Sequence, residues 1–397
     1  MSEKKLQPLK ISSKEAQKKL KIAKSPQKLT SLIPPEVIKI IKRLKKHKFT
    51  AYIVGGGVRD LLLGKKPKDF DVVTDAKPNK IKRIFSNCRV IGRRFKLVHV
   101  YFRGGKIIEV STFRDESKKL PKEETDPFKP WQIRENVFGN ETTDAFRRDL
   151  TINALFFDPL EDKIIDYVGG LRDLSEGIVR VIGDPAVRYR EDPVRMLRVV
   201  RHSARAGFEI NQLSWEEILK LKHLIRLCPS ARLYEEFKKD LNCGYFSEVF
   251  GLLIQSGLLE ELLPKFPLKD LNKNYLHQFV TALRKMDWWV MQTENSATTA
   301  SLSLFAIASK LICISTKGVA LSKVENYKQH LRSLFLPIGV PRREREKIEE
   351  LILAFKSVVL NKKRYKEIRA SLRFPLKAFA YALWDPEKEP FLFSKKS

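Results

Sequence analysis

Cysteines and long apolar runs are both scarce in this sequence, and each scarcity excludes a class of protein. The 397 residues include four cysteines, which are far apart: Cys88, Cys228, Cys243 and Cys313. No pair of them has the spacing of a zinc site, and scattered thiols do not form a disulfide framework, so we expect a reducing compartment, the cytoplasm. No apolar run reaches the roughly 18 residues of a membrane-spanning helix, so we expect no membrane partner.

Acidic residues are also few relative to basic ones. The chain has 77 Lys and Arg against 47 Asp and Glu, a formal net charge of +30. A surplus of this size indicates a polyanionic partner, most simply nucleic acid, with a general solubility surface or attraction to a membrane surface as the alternatives. Residues 1–32 are rich in lysine and lack the apolar core of a signal peptide. They are therefore predicted to form a disordered basic arm.

Two common nucleotide-binding motifs are absent as well. There is no Gly-x-Gly-x-x-Gly after a strand and no Gly-Lys-Ser/Thr, so the Rossmann and P-loop sites are excluded. Residues 51–73 instead combine a predicted strand, the glycines 55–57, a short helix carrying Arg59, a basic loop and Asp69-Phe70-Asp71. A strand that ends in glycines lets the backbone approach a phosphate closely, and the next helix turns its first N–H groups toward the anion.

The acidic pair in this stretch predicts a metal site. Side chains alternate along a strand, so Asp69 and Asp71 are expected on one face. Two carboxylates on a rigid face suit Mg²⁺, or Mn²⁺, whose coordination is completed by water and substrate phosphates. Glu109, on a later predicted strand, is a candidate third carboxylate, although an outward and solvated position is an equally good interpretation of it.

This combination of strand, glycine turn, Arg-Asp helix and Asp-x-Asp resembles the head of the class II nucleotidyltransferases, the family of bacterial poly(A) polymerases and CCA-adding enzymes. Two further motifs follow in the family's order. Residues 147–154, Arg-Arg-Asp-Leu-Thr-Ile-Asn-Ala, resemble its RRD motif. Residues 191–195, Glu-Asp-Pro-Val-Arg, resemble its Glu-Asp-x-x-Arg motif. The resemblance implies an α+β fold in which an N-terminal nucleotidyltransferase head with a small mixed sheet precedes an all-helical neck and body.

The resemblance and the predicted elements divide the chain into four parts. After the arm come the head, residues 33–180, and a helical neck, residues 181–265, for nucleotide selection and RNA binding. Residues 266–397 are predicted to be a helical, RNA-binding body. Within the head, the polar and proline-containing residues 115–136 are predicted to be either a lid or an insertion.

The resemblance also implies a reaction: template-independent transfer of AMP from ATP to the 3′ ends of single-stranded RNA, by a two-metal mechanism that releases pyrophosphate. In that mechanism Asp69 and Asp71 hold the metal ions and Asp149 completes the catalytic acidic group. Asn153 is a nearby nucleotide or framework contact. The residues implied to bind the nucleotide are Gly56, Arg59, Arg148, Asp192, Arg195, Arg198 and Arg201.

Asp192 and Arg195 carry the predicted choice of adenine. A carboxylate accepts a hydrogen bond from the N6 amino group of adenine, and a guanidinium donates one to N1. The two residues are helical neighbours three positions apart, so an intrahelical ion pair on a basic surface is the alternative interpretation.

Residues 92–100, Gly-Arg-Arg-Phe-Lys-Leu-Val-His-Val, resemble a segment typical of bacterial poly(A) polymerases. His99 stands where CCA-adding enzymes usually have no histidine, and it serves only as a marker of this subgroup. We therefore predict a polynucleotide adenylyltransferase, a poly(A) polymerase. The alternatives are a CCA-adding enzyme, a non-catalytic RNA-binding protein on the same fold, and a nucleotidyltransferase for small molecules.

Overall fold

The structure, a computed structural model, describes residues 21–24, 29–92, 96–115, 137–266, 273–292, 304, 307–308 and 325–361. The chain divides into two compact units. The head unit comprises residues 1–195 and 208–217, and the helical unit comprises residues 196–207 and 218–397. Most of the predicted arm and of the polar loop, together with Arg93 to Phe95 and much of the predicted body, lies outside the described residues.

The head unit is built on a mixed sheet, which has eight strands within the described part of the chain. Their spatial order is β1-β8-β7-β2-β3-β6-β5-β4. β3 and β6 are parallel, and the other neighbouring pairs are antiparallel. The strands are β1 Lys21–Lys24, β2 Ala51–Val54, β3 Asp71–Thr74, β4 Cys88–Ile91, β5 Leu97–Tyr101, β6 Ile107–Thr112, β7 Leu155–Asp158 and β8 Lys163–Asp166.

Six described helices belong wholly to the head unit. They are α1 Pro35–Lys46, α2 Gly56–Leu62, α3 Pro78–Ile84, α4 Glu141–Arg147, α5 Gly170–Glu176 and α6 Pro185–Glu191. A short parallel pair, β9 Ile178–Val179 and β10 Glu209–Ile210, completes the unit. The buried side chains Val37, Ile41 and Leu44 of α1 share one helix face and pack in one core with Ile53 and Val72 of the sheet.

The two faces of the sheet differ. One face carries Ile53, Val72 and Val110 and is covered by the core that contains α1 and α3. The opposite face carries Asp71 and Glu109, which are partners in the pairing of β3 with β6. We call it the acidic face. Toward β7 and β8 it is covered by a second, smaller core around Phe156.

The N-terminal arm is more ordered than its composition predicted over two short pieces. Residues Lys21–Lys24 pair antiparallel with β8, and Leu29–Leu32 forms a 3₁₀ turn in which Leu29 is buried. Residues 21–24 pair with β8, whose edge would otherwise have unpaired backbone groups. Leu29 packs into the core of the head unit. Residues 1–20 and 25–28 lie outside the described part of the chain.

Helices make up the described part of the helical unit, as predicted. α7 Val194–Ala206 and α8 Gln212–Leu221 each pass from one unit into the other along the chain. The interior is rich in phenylalanine, and the rings of Phe250 and Phe279 lie 4.8 Å apart. The other helices are α9 Ser230–Leu241, α10 Phe246–Ser256, α11 Leu258–Leu262, α12 Lys273–Gln292, α13 Tyr327–Phe335 and α14 Arg342–Asn361.

The boundary between the units falls later in the chain than the predicted start of the neck at residue 181. Residues up to Arg195 belong to the head unit, where the Tyr189 hydroxyl donates to the carbonyl oxygen of Ser214 at 3.1 Å. Across the described residues, none of the helices has the length and hydropathy needed to traverse a lipid bilayer.

Candidate active site

The glycine turn after β2 brings the predicted site together. Gly55 has φ +83°, a left-handed conformation that favours glycine. A Cβ built there would lie 3.9 Å from both Oδ2 of Asp71 and Nη1 of Arg148. Three sequence segments, 55, 71 and 148, therefore meet at one corner of the head unit, which we call the acidic corner.

The loop that carries Asp69 rests on the same turn. A Cβ added to Gly57 would come within 3.0 Å of the carbonyl oxygen of Asp69 and 3.5 Å of the Phe70 ring. A side chain at position 57 would displace this loop by a few tenths of an ångström, so the close approach relies on glycine. The sequence analysis placed Asp69 on the same strand as Asp71. In the structure β3 begins at Asp71, so Asp69 precedes the strand. Packing against Gly57 is what holds the Asp69 loop beside the corner.

Asp71 and Glu109 form the centre of the acidic corner. They are Cα partners in the parallel pairing of β3 with β6, so their side chains leave the sheet on the same face. Asp71 is exposed to solvent. Partial desolvation by the surrounding protein, followed by the negative charge of Glu109 and then of Asp69, nevertheless raises the pKa of its carboxylate to about 6, while Arg148 acts in the opposite direction.

The acidic corner fits a hard cation whose coordination shell is completed by water and substrate oxygens. Within the described ranges, no group of three or more His, Cys, Asp or Glu side chains is arranged as a ready-made metal cage. Asp69, Asp71 and Glu109 nevertheless concentrate negative charge in one solvent-open place, as the raised pKa of Asp71 records. Mg²⁺ typically binds through one or two carboxylates and takes its remaining oxygens from water and phosphates. The donor set fits that mode of binding.

Arg148 is oriented toward the corner by a residue that the sequence analysis missed. Asp144 is fully buried and accepts hydrogen bonds from Arg148 Nη2 at 2.8 Å and Arg147 Nε at 2.8 Å. Although burial opposes it, the two guanidiniums hold the pKa of Asp144 below its usual range. The signal was present in the sequence, because an Asp followed by Arg three and four positions later shares a helix face with both.

Arg59 lies behind the glycine turn. Its side chain is 2% exposed, and it donates to Oδ1 of Asp60 and, through Nη1 at 2.8 Å, to Oδ1 of Asn153. This contact ties α2 to the 3₁₀ turn Thr151–Asn153. A Cβ on Gly56 would lie 3.5 Å from Arg59 Nη2, so the guanidinium supports the turn from within. Direct contact of Arg59 or Gly56 with a triphosphate stays a prediction.

Asp149 and Arg195 are brought together, although they come from different motifs. Arg195 is 6% exposed and donates from Nε to Oδ1 of Asp149 at 2.7 Å. Its Nη1 donates to the carbonyl oxygen of Arg188 at 3.0 Å and to Oε2 of Glu191 at 3.3 Å. The carboxylates that act on the pKa of Asp71 are those of Glu109 and Asp69. The structure therefore gives Glu109 the place beside Asp71 and pairs Asp149 with Arg195.

The predicted adenine-selecting pair stands where α6 ends and α7 begins. Asp192 is half-buried, its N–H donates to the carbonyl oxygen of Arg188 at 3.1 Å, and its own carbonyl oxygen accepts from the N–H of Arg195. Arg188 in turn donates to the carbonyl oxygens of Arg147 and Arg148. The Glu-Asp-x-x-Arg motif is therefore fastened to the RRD motif within the head unit. Base selection by this motif stays a prediction.

Arg198 and Arg201 lie in the helical unit. Both contact Glu236, from Nη2 of Arg198 at 2.9 Å and Nη2 of Arg201 at 2.6 Å, and Arg201 also donates to Asp240 at 2.6 Å. Burial opposes ionisation of Glu236, yet the two arginines lower its pKa to about 2. Complete burial raises the pKa of Asp240 to about 7 despite Arg201. A role of Arg198 and Arg201 in nucleotide binding is not tested by these contacts.

Comparison with known proteins confirms the predicted resemblance. Residues 51–180 match the poly A polymerase head domain, and residues 207–268 match a domain described as a probable RNA and SrmB binding site of polymerase A. Poly(A) polymerase I of Escherichia coli is 47% identical over 235 residues, covering 58% of this chain and 50% of that protein. The CCA-adding enzyme of Bacillus pumilus is 35% identical over 251 residues, covering 63% of this chain and 60% of that one.

The chain spans about half the length of the poly(A) polymerases that it matches. Among solved structures, the CCA-adding enzyme of Bacillus stearothermophilus in complex with CTP has a TM-score of 0.63 and 24% identity. The likeness covers 88% of this chain and 76% of that one. It confirms the α+β fold, with a mixed sheet followed by helices.

Proposed function

We propose, from the match of residues 51–180 and 207–268 to two poly A polymerase domains, that this chain adds AMP from ATP to the 3′ ends of RNA. The observation that carries this choice is the 47% identity to a poly(A) polymerase I, against 35% to a CCA-adding enzyme. The reaction class is supported by the acidic corner, in which carboxylates, a glycine turn and Arg148 face one another.

In the proposed reaction the 3′ hydroxyl of RNA loses its proton to solvent and its oxygen forms a bond to the α-phosphorus of ATP. The bond from that phosphorus to the oxygen shared with the β-phosphate breaks, and pyrophosphate leaves. Asp69 and Asp71, with Glu109 beside them, would hold Mg²⁺ or Mn²⁺. When bound, such ions lower the pKa of the attacking hydroxyl and neutralise charge on the triphosphate. Arg148, held by Asp144 and directed at the glycine turn, would bind the phosphates.

Asp192 and Arg195 are the proposed adenine readers. The contact of Arg195 with Asp149 supports a positioning role for Asp149, which would keep the guanidinium aligned for N1 of the base. Gly56 and Arg59 are kept as supports of the triphosphate site, with Arg59 acting through its contact with Asn153. Arg198 and Arg201 are kept as further nucleotide contacts, although Glu236 engages both in the structure.

An incorporation assay tests the proposal directly. The purified chain is incubated with Mg²⁺, ATP or CTP, and either an unstructured RNA or a transfer RNA that lacks its 3′ end. We expect a long adenylate tail on the unstructured RNA with ATP alone. Short, CTP-dependent addition to transfer RNA would favour the CCA-adding alternative, which the likeness to such enzymes keeps in view. Incorporation of no nucleotide with either metal would favour a non-catalytic RNA-binding protein.

The proposed partner is single-stranded RNA, and the net charge of +30 supports its binding through phosphates. That binding should weaken steeply as salt rises, because each neutralised phosphate releases counterions. The widely spaced cysteines are compatible with the cytoplasm, which we propose as the compartment.

A further inference from the structure

The acidic face continues beyond the acidic corner toward the edge of the sheet. Asp71 is in register with Glu109, Glu109 with His99, and His99 with Arg89. Side chains of paired residues project from the same face, and His99 Nε2 lies 3.8 Å from Glu109 Oε2. These four residues form a row across β3, β6, β5 and β4. With one strand every 4.7–4.9 Å, Arg89 stands roughly 14 Å from Asp71.

A second pair lies beside this row on the same face. Tyr101 is in register with Ile107, two positions from His99 and Glu109 respectively. The Tyr101 and His99 rings are 6.3 Å apart. Because β3 and β6 are parallel, Ile107 lies toward the end of the sheet at which Asp69 precedes β3. We call Arg89, His99, Tyr101 and Ile107 the strand platform.

The strand platform is open, unlike the other face of the same strands. Ile107 is 50% exposed, Arg89 is exposed, and His99 and Tyr101 are partly accessible. On the opposite face, α3 buries Ile81 in the core. An exposed isoleucine, two aromatic rings and an arginine in one patch are unusual for a purely solvated surface, and they suit a ligand with flat faces and negative charge.

The sheet order indicates which reactant this ligand is. Gly55 follows β2, and it lies with Arg148 close to Asp71. In the sheet, β2 flanks β3 on one side and β6 flanks it on the other, followed by β5 and β4. If the triphosphate occupies the side of Gly55 and Arg148, the strand platform lies on the other side of Asp71, where a second reactant can approach.

We propose that the strand platform holds the last nucleotides of the RNA whose 3′ hydroxyl is extended. Bases stack on Tyr101 and His99, Ile107 packs against the base or sugar nearest the reacting end, and Arg89 binds a backbone phosphate. Stacking of this kind tolerates any sequence, because every base has a π-face. The inference rests on the proposed function and names the place of its second substrate.

Two variants and two matched controls test the platform. Arg89→Glu and Tyr101→Ala are compared with Arg83→Glu, which reverses an exposed charge on α3 at the opposite face, and with Tyr101→Phe, which keeps the ring. Equilibrium binding of a 3′-deoxy oligoadenylate is measured without ATP, and KM is measured separately for RNA and for ATP. Circular dichroism and thermal unfolding show whether each variant folds. If Tyr101→Ala does not fold, Arg89→Glu still tests the inference, because Arg89 is exposed.

We expect Tyr101→Ala to weaken oligoadenylate binding about tenfold, the size found for the loss of one stacked base. Arg89→Glu should also weaken it about tenfold, because it removes a phosphate contact and adds a repelling charge. The KM for RNA should rise in parallel, and the KM for ATP should stay unchanged. Tyr101→Phe and Arg83→Glu should bind like the parent protein.

The contrary results are distinct. Unchanged binding by both folded platform variants overturns the inference, as does an equal loss in Arg83→Glu, which would indicate a general effect of charge. Concentration-dependent self-association that the platform variants abolish, with RNA binding unchanged, would assign the face to a second copy of the chain and also overturn it. A parent protein that binds oligoadenylate through Arg89 and Tyr101 but adds no AMP would refute the proposed function and still support the platform.

Discussion

The head unit and the helical unit each place carboxylates beside arginines, but they balance the charges differently. In the helical unit, Glu236 is buried between two arginines, which lower its pKa to about 2. In the acidic corner, Asp71 is open to solvent, and surrounding atoms and two neighbouring carboxylates raise its pKa to about 6. The first arrangement is complete in itself. The second has an excess of negative charge, which a cation and a substrate can neutralise, so the imbalance supports the acidic corner as the proposed site of chemistry.

We expect the largest effect on catalysis when a carboxylate of the acidic corner is removed. Asp69→Ala should lower AMP incorporation by about a thousandfold or more, because charge neutralisation and positioning supply most of the rate in phosphoryl-type transfer. The circular dichroism spectrum should stay that of the parent protein, since Asp69 is exposed. Incorporation by single-turnover assay at a rate near that of the parent would remove Asp69 from the active site.

The balanced network should respond in stability instead. Glu236→Gln leaves the buried guanidinium of Arg201 without its full counter-charge, and removal of one partner of a buried pair costs about 3 kcal/mol. Urea unfolding measures the loss. Glu235→Gln is the matched control, because Glu235 is the exposed neighbour on the same helix and should change stability little. Equal effects from the two variants would contradict the importance of the buried network.

Gly57→Ala tests the packing that holds the corner. The added Cβ would meet the backbone of Asp69 at 3.0 Å, so the loop must shift by a few tenths of an ångström. We expect kcat to fall about tenfold, since displacements smaller than one ångström already impair reacting geometry, with the KM for RNA unchanged. Gly251→Ala, on α10 where an added Cβ meets no atom within 4 Å, is the control. A normal kcat for Gly57→Ala would show that the Asp69 loop tolerates movement.

The smallest effect concerns the free energy of unfolding, which the ionised Asp71 carboxylate lowers because it is partly desolvated and lies near two other carboxylates. The pKa of Asp71 is raised from 3.8 to about 6 by folding, so this loss of stability is absent below the lower value, grows between the two and is complete above the higher one. Without metal, Asp71→Asn should therefore stabilise the protein by about 1 kcal/mol at neutral pH, a value that allows for solvent screening of an accessible group. The gain should vanish near roughly pH 4. Urea unfolding in chelator at the two pH values measures it, and a gain that is independent of pH would contradict the assignment.

Much of this architecture is encoded locally and could be predicted. The glycine turn and the Asp-x-Asp pair are short-range patterns, and the family resemblance that they carry implied a head with a mixed sheet. The choice between Asp149 and Glu109 could not be made in this way. The sequence analysis assigned Asp149 to the catalytic acidic group and kept Glu109 as a candidate third carboxylate, whereas in the structure Glu109 is the strand neighbour of Asp71. That proximity depends on the register of two strands far apart in sequence, which no local pattern specifies.

Distant side-chain partnerships were missed for the same reason. The contact of Arg195 with Asp149 joins residues 46 positions apart, and each residue alone looked like a surface charge or a ligand. The order of residues 21–24 depends on the uncovered edge of β8, which comes late in the chain. Composition could report only that this segment is basic and lacks a core of its own.

Among the described strands of the sheet, the single parallel pair, β3 with β6, separates what must stay fixed from what is free to change. Because β3 and β6 are direct neighbours, the chain between them, residues 75–106, leaves the centre of the sheet, forms α3, β4 and β5, and returns to the same place. Insertions or replacements along this excursion would reshape the outer edge without displacing Asp71 from Glu109. Related chains can therefore differ along this one excursion, and with it in the strand platform, while the two central carboxylates keep their pairing.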